Sequence, residues 1–489
     1  MPSLPGTLDS MRKLLPIALI LAAGCQAAPP AVPRTPETRT DTSIAWTACG
    51  PRECGKLDVP LDHARPRGER VTLALTRVPA RDPARRLGSL VFNPGGPGAT
   101  GLDFPRVLTK AHDTLGERYD LIGYDPRGVG ESSPVQCLTK EDLATAFTAD
   151  PTPDTDREKG AAFAAARKVT AACEKAAGPL LPYLGTRNHA RDLDRIRQAL
   201  GEDKLTAFGL SWGGSLMATY ADLFPGNVGR LVLDSPGNPT LGQFEVIRLQ
   251  MAGTEKGLRR FADACGARAD CPIGATGEEV LDRFDRFLAG GLPVGELTEP
   301  AARLAVLYGL YRPDGWPKLE NALAKAYKGD GRPMLEMSAW LAGGSQESGF
   351  SNFQDANMAI NCADYTERYG RRDLDRLAAK IAADAPRFGP SAVWQTLLNC
   401  AYWPKSADPH AGRLSGAGAP PILIVGNTGD PDGVYEYAAD VAGQLSSARL
   451  LTWDGDRHGA YGGKNACVDA AVDAYLLKGS LPEPGSRCR

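Results

Sequence analysis

The sequence predicts an α/β protein: a mostly parallel, doubly wound sheet with helices on both faces and a long helical insertion. Three observations carry this. Strand-like and helix-like runs alternate over much of the chain, the pattern of strand–helix–strand units. The strand signal vanishes from residue 236 to about residue 410 and returns at Pro421. Gly-Leu-Ser-Trp-Gly at 209–213 stands between a strand-like run, Lys204–Phe208, and a helix-like run, Gly214–Phe224, which stops before Pro225.

The strand candidates are Val71–Val78, Ser89–Asn93, Leu121–Tyr124, Leu205–Phe208, Leu231–Asp234, Ile422–Gly426 and Arg449–Trp453. The spacing predicts a helix over His189–Leu200, with Leu193, Ile196 and Leu200 as its apolar stripe and Gly201 as its stop. The insertion falls between the fifth and sixth strands. It is helix-like, with Trp316, Trp340, Trp394 and Trp403 scattered through it. The expected division is a core of residues 46–235, a helical cap of 236–410 and a second core part of 411–489.

The first 25 residues read as an export signal. Arg12 and Lys13 precede an apolar run, Leu14–Ala23, too short to span a bilayer. The run ends at Gly24-Cys25, similar to a bacterial lipoprotein processing site, where Cys25 would become the lipidated N-terminus. Residues 26–45, rich in Pro and Thr, read as an extended tether. Membrane contact is expected only through that lipid; the alternative is plain secretion. The chain has 11 Cys, and setting Cys25 aside leaves an even number, which suits an oxidising compartment. Proximity pairs Cys49 with Cys54 and Cys265 with Cys271. Spacing does not dictate the rest; they are taken as Cys137–Cys173, Cys362–Cys400 and Cys467–Cys488. No C-x-x-C pair occurs and the five His do not cluster, so no metal site is expected. A net charge of −2 gives no electrostatic footprint for nucleic acid.

A strand, a sharp turn and a helix around G-x-S-x-G would hold Ser211 on a strained elbow with its hydroxyl exposed. A serine hydroxyl is a poor nucleophile near neutral pH, so it needs a base and an acid to orient the base. In sheets of this kind the chain order is Ser, acid, His. His63, His112 and His189 precede Ser211, and His410 closes the insertion. His458, in the Gly-flanked loop 454–460 after the last strand, is left as base. The acid comes from the loop 427–433 (NTGDPDG), with Asp430 preferred and Asp432 its rival. Two backbone N–H groups must face the developing oxyanion. Trp212 supplies one. The other comes from Asn93–Gly98 (NPGGPG), from Gly96 or, next, Gly95. No cofactor is required.

These motifs, with the stretches ECGKLDVPLDHARP (53–66), YDLIGYDPRGVGESSPVQC (119–137), RDLDRIRQALG (191–201), GLSWGGSLMATYADLFPGNVGRLVLDS (209–235) and AINCAD (359–364), carry a family likeness. From about Trp46 to Cys488 the chain resembles the secreted tripeptidyl aminopeptidases of actinobacteria, prolyl aminopeptidase-related serine peptidases of the α/β-hydrolase fold. The resemblance implies an exported exopeptidase that removes short peptides, tripeptides in particular, from free N-termini, with Ser211, Asp430 and His458 as triad. The chain departs from the family in having Gly433-Val434 where Thr-Pro is common, and Asn93 where relatives have His. An aminopeptidase must also receive a charged amine; Asp364 and Glu347 are the candidate acids. Asp125 and Arg127 in DPRGVG are expected to brace neighbouring loops. A carboxylesterase on the same scaffold is the main rival reading, and a non-catalytic envelope binding protein the second.

Overall fold

The computed structural model describes residues 43–489 except 111, 140–141, 143–148, 342–343, 346–348 and 410–411. Signal peptide, Cys25 and most of the tether therefore lie outside the described residues, as do Glu347 and His410.

Ten strands form one sheet in the order β1-β2-β3-β5-β4-β6-β7-β10-β11-β12. They are β1 (Thr47–Cys49), β2 (Arg52–Pro60), β3 (Arg70–Val78), β4 (Gly88–Asn93), β5 (Tyr119–Tyr124), β6 (Leu205–Leu210), β7 (Val228–Asp234), β10 (Ile422–Asn427), β11 (Ala448–Trp453) and β12 (Arg487–Cys488). A two-residue hairpin, β8 (Gly344–Ser345) and β9 (Gly349–Phe350), stands apart. From β5 to β12 every pairing is parallel, and β1, β2, β3 and β5 pair antiparallel.

All seven expected strands are present. Their apolar runs are continuous because both faces are covered; every residue of β4, β5 and β10 is buried. Alternate residues serve two separate cores. Val91, Ile122, Ala207, Leu231, Leu233, Ile422 and Ile424 pack with the helices Thr186–Ala199 and Trp212–Leu223. Their neighbours Leu90, Phe92, Leu121, Phe208, Val232, Leu423 and Val425 pack on the other side, with Val468, Val472 and Leu476 of the helix Ala466–Lys478. The period-two geometry of a strand makes that division.

The segment between β7 and β10 contains the helices Gln243–Gly266, Gly277–Gly290, Glu299–Leu310, Trp316–Ala326, Arg332–Leu341, Phe353–Asp364 and Arg371–Ile381. Most share a core of their own, around Phe244, Leu258, Phe261, Phe284 and Trp394. The helix Phe353–Asp364 instead packs through Ala359, Ile360 and Ala363 into the core of the sheet.

The five expected disulfides all form: Cys49–Cys54, Cys137–Cys173, Cys265–Cys271, Cys362–Cys400 and Cys467–Cys488. The last ties the helix Ala466–Lys478 to β12. No helix among the described residues is long and apolar enough to cross a membrane.

Candidate active site

Ser211 follows β6 directly and takes φ 58° and ψ −124°, a left-handed conformation that a side chain rarely adopts. The turn is tight enough to require its glycines. A Cβ on Gly209 would lie 2.2 Å from the Gly213 carbonyl oxygen, and one on Gly213 would lie 2.6 Å from that of Asn93. The Ser211 N–H donates to the Asp234 carbonyl at 2.9 Å, which pins the elbow to the end of β7.

The loop after β11 is suspended from the ends of the neighbouring strands. The Asp234 carboxylate accepts from the N–H groups of Ala460 (2.9 Å) and Tyr461 (3.0 Å), and Ser235 Oγ accepts from Gly459 (3.0 Å). Asn427, the last residue of β10, donates through Nδ2 to the Arg457 carbonyl at 2.9 Å and to Ser235 Oγ at 2.8 Å. Gly459 lies against Leu210, where a Cβ would come within 2.8 Å of Leu210 Cδ1, so the loop carrying His458 sits on the residue that precedes Ser211.

Asp430 and His458 meet directly. Both carboxylate oxygens lie 3.0 Å from Nδ1, and the N–H groups of Asp432 and Gly433 each donate to Asp430 Oδ1 at 2.9 Å. The rival acid is close by but on the other nitrogen: Asp432 Oδ2 is 3.6 Å from Nε2. The His458 ring is buried, which by itself lowers its pKa. The charge and hydrogen bond of Asp430, with the charges of Asp432 and Asp234, outweigh burial and push it up to about 9.

The two expected sources of oxyanion donors are the start of the helix after Ser211 and the loop after β4. Trp212 opens its helix, where an N–H has no partner within the helix. On the loop after β4, the Gly95 N–H is donated to Asn93 Oδ1 at 2.9 Å. Asn93 in turn donates to the Tyr124 hydroxyl at 3.1 Å.

Asp364 does not have the free carboxylate that an amine receptor needs. Oδ1 accepts from the Thr186 N–H and Oδ2 from the Thr186 hydroxyl, both at 2.6 Å. Asp364 thus caps the helix Thr186–Ala199, and a substrate amine would have to displace that cap. Burial raises its pKa to about 7 against the two Thr186 hydrogen bonds. Thr186 Oγ1 also accepts from the Trp212 indole at 3.0 Å, so the cap bears on the elbow. Arg127 is fully buried in an ion pair with Asp192, and Asp125 accepts from the Gly101 and Glu131 N–H groups at 2.8 Å. Both brace loops, as their motif implies.

Sequence reasoning missed Asp234, Ser235 and Asn427. Their signal was available, since Asp-Ser and Asn sit at the carboxyl ends of buried strands, where open α/β sheets build their sites. It also missed Tyr311 and Gln250 of the inserted segment, for which no sequence signal exists. The Tyr311 carbonyl accepts from the His458 N–H at 2.8 Å, and its ring lies 5.3 Å from the imidazole.

Residues 88–278 match the family model "alpha/beta hydrolase fold", and residues 385–488 match "TAP-like protein". The chain is 33% identical to "Serine protease Hip1" of Mycobacterium tuberculosis, over 97% of this chain and 96% of that one. It is equally similar, at 33%, to "Tripeptidyl aminopeptidase" of Streptomyces lividans, over 90% of this chain and 84% of that one. The chain belongs to the tripeptidyl aminopeptidase-like α/β hydrolases. It is a hydrolase. A "Carboxylesterase B" of Mycobacterium tuberculosis is 32% identical over 92% of this chain and 88% of its own. In this α/β hydrolase the glycine at 433 has a local cause: a Cβ there would lie 2.6 Å from the Ser235 carbonyl oxygen and 3.0 Å from His458 Cε1.

Proposed function

We propose that the chain is an exported serine exopeptidase that releases short peptides, tripeptides in particular, from free N-termini through an acyl-enzyme on Ser211. The observation that carries this is the Asp430–His458 pair, held by the strand ends that also hold the strained Ser211 elbow. His458 Nε2 takes the Ser211 proton as Oγ attacks the peptide carbonyl. The N–H groups of Trp212 and Gly96 receive the oxyanion. His458 then protonates the leaving amine, and water releases the acyl-enzyme by the same steps. Asp430 is the triad acid in this reading, because it holds Nδ1 and thereby the tautomer.

Relatives named as a serine protease and a tripeptidyl aminopeptidase support peptide substrates with a free amine. The short apolar run before Cys25 and the five disulfides support export, with lipidation of Cys25 as anchor. A carboxylesterase on the same machinery is the second reading, favoured by the relative of that name.

The test compares tripeptide amides with a free N-terminus, their N-acetylated counterparts, and short acyl esters, each with the wild-type chain and Ser211→Ala. The proposal expects the free-amine peptides to have the highest kcat/KM and Ser211→Ala to be folded and inactive. Preference for esters over free-amine peptides selects the second reading, and a fully active Ser211→Ala removes both.

A further inference from the structure

A second carboxylate lies near the other ring nitrogen of the imidazole that Asp430 holds. Asp432 Oδ2 lies 3.6 Å from His458 Nε2, the nitrogen that must take the Ser211 proton. Asp432 is not a stray surface acid. Its side chain is 12% exposed. The Gln250 amide, on the helix Gln243–Gly266, donates to Asp432 Oδ1, and the Tyr311 hydroxyl, just past the helix Glu299–Leu310, bonds to the same carboxylate. Tyr311 also lays its ring beside the imidazole and accepts the His458 N–H. Two inserted helices therefore converge on one acid and aim it at the working nitrogen of the base.

We propose that Asp432 is a positioning residue for His458: held by Gln250 and Tyr311, it keeps Nε2 protonated in the resting enzyme and stabilises the imidazolium during turnover. This rests on the triad assignment above. A carboxylate beside Nε2 favours the ring's charged form, and only the neutral ring can accept a proton. The resting enzyme must lose that proton before it reacts. In the chemical step the Ser211 O–H bond breaks and an Nε2–H bond forms. The Oγ electron pair forms the bond to the carbonyl carbon, and the carbonyl π pair moves onto oxygen. Burial raises the pKa of Asp432, and the facing His458 charge and the hydrogen bonds from Gln250 and Tyr311 oppose that rise; the imidazolium so formed faces this carboxylate. The same charge that delays the base at low pH lowers the barrier once the base is free.

The other groups around the ring are Asp430 on Nδ1, Asp234 beneath the loop, and Tyr311, which burial and the two acids keep protonated. Lys464 offsets Asp234, and Arg457 and Arg312 act on Lys464. Asp432→Asn leaves all of these in place and removes one charge.

The experiment measures the second-order rate at which a fluorophosphonate labels Ser211 as a function of pH, in the full chain with its disulfides intact. This readout needs no peptide, so it is independent of substrate class. Relative to wild type, Asp432→Asn should move the acid-limb midpoint down by about one pH unit, at the low end of the range for an opposite charge within 4–6 Å, and lower the alkaline plateau several-fold. Asp432→Glu should restore the wild-type midpoint, which a merely structural role would not do. If Asp432→Asn does not fold by circular dichroism, Asp432→Ser removes the same charge and is held to the same expectation. A midpoint within about 0.3 units of wild type in the folded neutral variant overturns the inference and leaves the peptidase reading intact. A wild-type chain that is not labelled at any pH overturns both.

Discussion

Replacing Asp364 with Asn should stabilise the protein at alkaline pH, against the usual rule that losing a buried charged hydrogen bond weakens a fold. The carboxyl is buried, and its pKa is raised from 3.8 to about 7 because burial outweighs two hydrogen bonds from Thr186. A raised acid binds its proton more tightly in the folded chain than in the unfolded one. Stability therefore falls as pH climbs from about 4 to about 7, and the cost is complete above that window. Three units correspond to about 4 kcal/mol. Asn cannot ionise, so it escapes this cost, but it accepts through one oxygen instead of two and forfeits about 1 kcal/mol. Asp364→Asn should thus be about 2–3 kcal/mol more stable than wild type at pH 8, and about 1 kcal/mol less stable near pH 4. Guanidinium unfolding midpoints at the two pH values, with the disulfides intact, measure this directly. Parallel shifts at both pH values would refute the reasoning. A folded Asp364→Asn chain that cleaves esters but no longer cleaves free-amine peptides would also refute it, because the carboxylate would then be meeting substrate and not Thr186.

Asp430→Asn should keep the fold and lower kcat by about 10⁴, since an amide on Nδ1 selects the wrong tautomer; kinetics on the best substrate check this, and a loss below tenfold would move the acid's role elsewhere. Gly433→Thr, which introduces the residue common in the family, should lower activity at least about 100-fold, because even a 1 Å displacement in an active site costs on that order and its Cβ would press on His458 Cε1 and the Ser235 carbonyl. Full activity with an unchanged thermal midpoint would show that the loop relaxes around a side chain.

The parts of this molecule that were legible in the sequence are those fixed by local pattern. The buried strands read clearly because both faces demand apolar residues, and Ser211, the loop carrying Asp430 and its rival Asp432, and His458 could be singled out because each lies just beyond such a strand. The first two strands did not read. β2 (RECGKLDVP) is mostly half-exposed or exposed on an antiparallel edge, and its polar residues hide the alternation. β12 is two residues long and held by Cys467–Cys488, below the length at which pattern exists. The contact of Asp364 did not read for a different reason. Its partner Thr186 is 178 residues away, and an acid at the end of a helix-like run gives no sign of which distant backbone it caps.

That contrast bears on how the chain divides its work. In the mechanism proposed above the core alone would supply what any ester or amide needs: the Ser211 elbow, the Gly96 and Trp212 donors, and an imidazole on a loop hung from Asp234, Ser235 and Asn427. Relatives named for protease and for carboxylesterase are similar to this chain at 33% and 32%, so overall identity does not distinguish the substrate classes. The difference must enter through groups that touch the machinery from outside it. Tyr311 and Gln250 come from the insertion and touch the His458–Asp432 side of the candidate site. An amide's leaving amine must be protonated as the bond breaks, whereas an alkoxide leaves with less help. A carboxylate that raises the proton affinity of Nε2 makes the imidazolium easier to form and a weaker acid once formed. In the proposed mechanism such a carboxylate favours attack on the carbonyl and opposes protonation of the departing amine, so Asp432→Asn should change the rates on matched amide and ester substrates by different factors.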